Sequence, residues 1–145
     1  MLRTRTIRIA VSAAAVMSLL LGPGLLAAQG ASGATSPKIT VTPSTGLKNG
    51  EKVTVKGTGF KPKDSVYIVE CLRSAKGGSQ CAIGGIPIPI TINAKGVLPA
   101  TKFVVTTGKV GSGTCGTKKS NLAKCDVSVG NASGGDSTTA PIIFK

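Results

Sequence analysis

Ser65-Val66-Tyr67-Ile68-Val69-Glu70-Cys71-Leu72 is the longest strand candidate in the chain. β-Branched and aromatic residues fill its centre, as suits a pleated, half-buried surface. Successive side chains of a strand point to opposite faces, so Tyr67, Val69 and Cys71, continued by Arg73, share one face. Glu70 falls on the other face and is read as a surface charge. Near its end stands Cys71, ten positions before Cys81, and the same ten-residue step separates Cys115 from Cys125.

Working outward, short alternating runs and turn signals follow one another in both directions. Lys38 to Thr42 is a first strand, stopped by Pro43-Ser44-Thr45-Gly46. Lys48-Asn49-Gly50 is a turn, and Glu51 to Lys56 alternates with Val53 and Val55 inward. Gly57 to Asp64 turns the next corner. Ile86 to Ile92 alternates too, but Pro87 and Pro89 lack backbone donors, which confines the run to a sheet edge. Asn93-Ala94-Lys95-Gly96 is a turn before a strand over Val97 to Thr106. Thr107 to Lys124 reads as a glycine-rich loop, Asp126 to Val129 as a short strand, and Ala140 to Phe144 as the last. About seven short strands, frequent turns and no helical periodicity predict an all-β fold, an antiparallel sandwich of two sheets.

The first 34 residues differ in kind. Arg3, Arg5 and Arg8 precede an apolar run from Ile9 to Leu26, interrupted by Gly22-Pro23-Gly24 and followed by small residues. A basic start, an apolar middle and a small-residue end make a secretory signal, with cleavage expected after Gly30 or Ala34. Residues 35–145 are then one secreted, monomeric domain with no membrane span. Export favours disulfides over free thiols. Of the three pairings four cysteines allow, the local one is preferred, Cys71 with Cys81 and Cys115 with Cys125, because each link closes a short polar loop. A zinc site is disfavoured by the nine-residue gaps and by the lack of any histidine.

The same inventory removes most catalytic chemistry. Without histidine there is no Ser-His-Asp or Cys-His arrangement. The acids are Glu51, Asp64, Glu70, Asp126 and Asp136. Glu70 and Asp126 adjoin cysteines, but a carboxylate pair would need one of them protonated in an apolar pocket, and Glu70 reads as surface. No enzyme is expected. Residues 35–145 hold 15 basic residues, 14 of them lysines, against five acids, a net charge of +10. Scattered lysines guard sheet edges against pairing; they also attract polyanions, so weak, sequence-blind contact with DNA or similar polymers is expected.

Thr40 to Leu47, Gly50, and Val53-Thr54-Val55-Lys56-Gly57-Thr58-Gly59-Phe60 together resemble the opening of the neocarzinostatin family, the apoproteins that carry enediyne antibiotics. Glu70-Cys71, the step to Cys81, Asn93 to Gly96, and the second cysteine pair followed by Val127 and a glycine- and serine-rich turn resemble it in order and spacing. The resemblance implies a seven-stranded immunoglobulin-like sandwich with two local disulfides, and a cleft holding an apolar enediyne chromophore that cuts DNA once released. It places the cleft at Tyr67, Val69, Cys71 and Arg73, with Asp126, Ser128 and Gly130 facing them and Ile86 on the rim. The implied role is an antibacterial, DNA-damaging one exerted through the bound chromophore.

Several residues depart from the family pattern. Val69 stands where the family tends to keep Gly or Ala, Arg73 where some members have Trp, and Ile86 where the rim is aromatic. The loop Thr107 to Gly111 is shortened, and the basic charge contrasts with acidic carriers. An alternative reading follows: a secreted interaction module of the same fold, ligand-free or differently liganded, with a basic surface.

Overall fold

The computed structural model describes residues 36–73, 75–82 and 89–145. The proposed signal segment, and the expected rim residue Ile86 with Pro87, lie outside them. Among the described residues ten strands run in chain order: β1 Lys38–Thr42, β2 Lys52–Thr58, β3 Ser65–Leu72, β4 Cys81–Ala82, β5 Ile90–Thr91, β6 Leu98–Val104, β7 Gly108–Val110, β8 Gly113–Cys115, β9 Cys125–Gly130 and β10 Thr138–Ile142. They form a three-stranded sheet, β1-β2-β6, and a five-stranded sheet, β10-β9-β3-β4 with β5 also on β3; β7 and β8 make a separate hairpin. Every pairing between these ten strands is antiparallel, and an isolated parallel bridge joins Leu47 to Phe144. The chain is an all-β, immunoglobulin-like sandwich. Among the described residues no helix is long and apolar enough to cross a membrane.

Period-two alternation builds the core. Val53 and Val55 of β2, Val66 and Ile68 of β3, and Val127 and Val129 of β9 are all buried. Ile142, Phe144, Leu47 and Leu98 join the same apolar cluster. Phe60 closes the corner before β3: its N–H donates to the Gly96 carbonyl at 3.2 Å. Gly96 has φ +72°, and a Cβ there would lie 2.5 Å from the Phe60 carbonyl oxygen. That close approach requires glycine.

The strand expectations hold for β1 and β3 at both ends, and the remaining long strands differ by a few residues. Two differences are larger. The expected loop from Thr107 to Lys124 contains the β7–β8 hairpin and a 3-10 turn at Lys119–Asn121. Three-residue strands are too short for an alternation signal, and glycines bound both of them. The expected edge strand over Ile86 to Ile92 is a strand only at Ile90–Thr91 among the described residues, paired to the start of β3.

Both disulfides are local, Cys71–Cys81 and Cys115–Cys125. The first joins β3 to β4 where Cys71 and Cys81 are direct cross-strand partners. The second is buried in the core at both cysteines.

Glu70 is a correction. It is buried at 2% exposure rather than lying on the surface. It does stand on the face opposite Tyr67, but that is the core face, shared with Val66 and Ile68. In a sandwich a sheet has one face on the core and one outside, and the outside of β3 is where Tyr67 stands.

Candidate functional site

The five-stranded sheet carries a concave site on its outer face. β3 and β9 lie side by side, with Tyr67 opposite Gly130, Val69 opposite Ser128 and Cys71 opposite Asp126. Alternation turns these three cross-strand pairs to one side, where they form a floor. A cleft of about 520 Å³ stands on it, lined also by Leu72, Cys81 and Thr139. One wall is the segment after β3, at Ala75, Gly77 and Gly78; the other is the β9–β10 connection, at Asn131, Ala132 and Ser137. The size falls in the range of small-molecule sites, and a mostly aliphatic lining with a few hydroxyls matches their usual chemistry.

The β9–β10 wall is held in place by polar ties. Asn131 Nδ2 donates to Asp64 Oδ2 at 2.8 Å, and the backbone N–H of Lys61 donates to the Asp136 carboxylate. The Asn131 amide, joined by the backbone N–H of Ser65, holds the Asp64 carboxyl below its ordinary range. Gly130 lets the connection fold close: a Cβ there would stand 3.1 Å from Ser137 Cβ.

Of the expected cleft residues, Tyr67, Val69, Cys71, Asp126, Ser128 and Gly130 come together as the lining. Ile86 lies outside the described residues. Arg73 lies at the lip rather than in the lining: its Nε donates to Asp126 Oδ1 at 2.9 Å and its Nη2 reaches the Cys125 carbonyl at 3.5 Å. The cation expected on the floor is instead half of an ion pair, with Asp126 in the lining and Arg73 beside it. The walls at Ala75 to Gly78 and at Asn131 to Ser137 are not foreseeable from the sequence, because glycine-rich connections carry no periodicity to show where they fold.

Glu70 and Asp126 do not meet as a carboxylate pair. Glu70 is opposite Val127 in register and faces the core, whereas its neighbour Cys71 is opposite Asp126 on the outer face. One Glu70 oxygen, Oε2, accepts the Thr106 backbone N–H at 2.9 Å; the other, Oε1, has no partner. Burial pushes this carboxyl above the ordinary glutamate range, against the Thr106 hydrogen bonds. It lies within 4.8 Å of the sulfurs of Cys115 and Cys125. Those sulfurs are bonded to each other, so the cluster offers no thiolate to a metal.

A family model described as the neocarzinostatin family matches residues 39–144. Macromomycin from Streptomyces macromomyceticus is 31% identical over 104 residues, covering 68% of this chain and 71% of the relative. A solved macromomycin structure superposes with a TM-score of 0.55 at 32% identity, covering 75% of this chain and 99% of that one. The solution conformation of apokedarcidin superposes at a TM-score of 0.50 with 28% identity, covering 76% and 99%.

Proposed function

The chain belongs to the neocarzinostatin family, and on that footing we propose that it is a secreted, non-enzymatic carrier of an apolar, conjugated small molecule of the enediyne class. The ligand is held without a covalent bond in the cleft between the segment after β3 and the β9–β10 connection. The observation that carries this reading is the open cleft of about 520 Å³ floored by Tyr67, Val69 and Ser128. Tyr67 offers a ring for stacking, Val69 and the Cys71–Cys81 disulfide offer apolar contact, and Ser128 and Thr139 offer hydrogen bonds that orient the guest. The antibacterial, DNA-damaging activity belongs to the released guest, and the residues before Thr35 direct export.

Tyr67 is the only tyrosine in the chain, and there is no tryptophan. Its fluorescence therefore reports on the cleft floor alone. Titration with a polycyclic aromatic enediyne analogue is expected to quench it saturably at micromolar ligand. Absence of a saturable change would remove the carrier reading.

A second reading is favoured by Val69, whose two methyls occupy the middle of the floor. In it the domain keeps the fold as an interaction module and carries no conjugated guest. The absorption spectrum of protein purified from its producing cells separates the two. Bands beyond the tyrosine region support a carrier; a spectrum of tyrosine alone supports the module.

A further inference from the structure

The outer face of the three-stranded sheet, on the other side of the sandwich from the cleft, carries a group of exposed lysines. Lys38 of β1, Lys52 and Lys56 of β2, and Lys102 of β6 are all exposed on it. None of the three strands contains an acidic residue. Register interleaves these cations with hydroxyls: Lys38 is opposite Thr58, Lys56 opposite Thr40, and Lys102 opposite Thr54. Lys102 Nζ donates to Thr54 Oγ1 at 2.7 Å, which fixes one ammonium over the sheet. At the β2–β6 register shift between Val55 and Gly57, the face dips into a depression of about 330 Å³ flanked by Lys38 and Lys56.

We propose that this face docks the phosphodiester backbone of duplex DNA. Lys38 and Lys56 are diagonal neighbours across β1 and β2, as are Lys102 and Lys52 across β2 and β6. Diagonal positions of this kind lie ~7–8 Å apart, so the four lysines form two closely spaced pairs on one face. The threonine hydroxyls between them are further donors to phosphate oxygens, the contacts that position a protein on a duplex without reading its bases.

The choice of occupant follows from what the face lacks. No aromatic side chain stands among these lysines, so the stacking that secures single strands is missing. Val104 is the single large apolar side chain exposed on these strands, which is too little to enter a lipid surface. A stiff duplex also presents its charges already ordered, whereas a flexible polyphosphate chain would lose conformational freedom on docking.

Four phosphate contacts give a slope of log K against log salt of about −3.6, a loss of roughly 150-fold between 50 and 200 mM salt. Binding of the purified protein to a fluorescein-labelled 20-base-pair duplex is measured by anisotropy over that range. Replacing Lys38, Lys52, Lys56 and Lys102 by Gln is expected to weaken binding at least tenfold at 50 mM salt and to flatten the slope. Replacing Lys76, Lys95, Lys109 and Lys145 by Gln removes the same charge elsewhere and is expected to leave most of the slope in place. Equal losses in the two variants would overturn the proposal in favour of net charge alone. Tighter binding to vesicles of phosphatidylglycerol than to the duplex, through the same four lysines, would overturn DNA as the occupant. Circular dichroism of each variant confirms the fold. The cleft is on the other sheet, so duplex binding that persists when the aromatic probe fails to bind sinks only the carrier reading, and the converse result sinks only this one.

Discussion

Glu70 offers the sharpest test of the core. It is a carboxyl at 2% exposure with one oxygen on the Thr106 N–H and the other without a partner. Glu70→Gln keeps an acceptor for Thr106 and removes the charge. A buried neutral polar atom left unsatisfied costs ~1–3 kcal/mol and a charged one more; the Gln amide is still unpaired where Oε1 stood, so the gain comes from removing the charge. The variant is therefore expected to be more stable at pH 8 by ~2 kcal/mol, or ~8 °C in Tm for a domain of this size.

The direction with pH follows from the raised pKa of Glu70 in the fold. Below the unfolded-state pKa the group is protonated in both states and adds no penalty. As pH rises from there through the folded pKa, the unfolded state sheds its proton first, and stability falls. Above the folded pKa the full penalty applies. Urea denaturation of both proteins, followed by circular dichroism from pH 3.5 to pH 8, should show curves that meet at the acid end and part toward neutrality. The difference between them cancels the other titrating groups, which lie elsewhere. A Glu70→Gln variant less stable than the parent at pH 8, or a gap constant over the whole range, would refute this account and mean that the carboxylate is well solvated or satisfied in the fold.

Other perturbations have equally definite outcomes. Val69→Phe fills the cleft floor from a half-buried position; aromatic-probe binding by tyrosine quenching should fall at least tenfold, while the urea midpoint moves by no more than ~1 kcal/mol worth of stability. Replacing both Cys71 and Cys81 by Ala opens a ten-residue loop and should cost ~2.5–3 kcal/mol by chain entropy, measured by urea titration. The same double variant takes away part of the cleft lining and should weaken the probe, whereas weakening by the Cys115 and Cys125 double variant should track lost stability alone. Gly96→Ala forces a left-handed backbone on alanine and a Cβ against the Phe60 carbonyl; a loss of ~1–3 kcal/mol is expected in thermal melts. Asp64→Asn weakens the tie to Asn131, and amide exchange over residues 131–137 should quicken at pH 7, where the parent carboxylate is charged.

Much of the cleft is legible in one run of eight residues. The alternation from Ser65 to Leu72 places Tyr67, Val69 and Cys71 together, and the facing residues Ser128 and Gly130 follow from the resemblance. Glu70 shows the limit of such reading. Alternation gives its face correctly, yet a charge suggests solvent where the neighbours Val66 and Ile68 mark that face as core. Arg73 shows another: parity puts it with the floor residues, but whether a long side chain enters a cleft or turns to a carboxylate beside it depends on the partner strand. Here β9 supplies Asp126 within reach, and the ion pair forms at the lip.

The chain's own pattern determined the longer strands and the two-faced character of each sheet, and favoured the two local cysteine links, because period-two alternation and turn residues act over a few neighbours. It also determined that basic residues outnumber acids by ten over residues 35–145. How the glycine-rich connections fold up to wall a cleft, and which four lysines share the outer face of the three-stranded sheet, were decided only by the tertiary structure. These depend on register between strands far apart in sequence, such as Lys38 against Thr58 and Cys71 against Asp126. Register is set by packing two apolar faces together, which no single segment encodes alone.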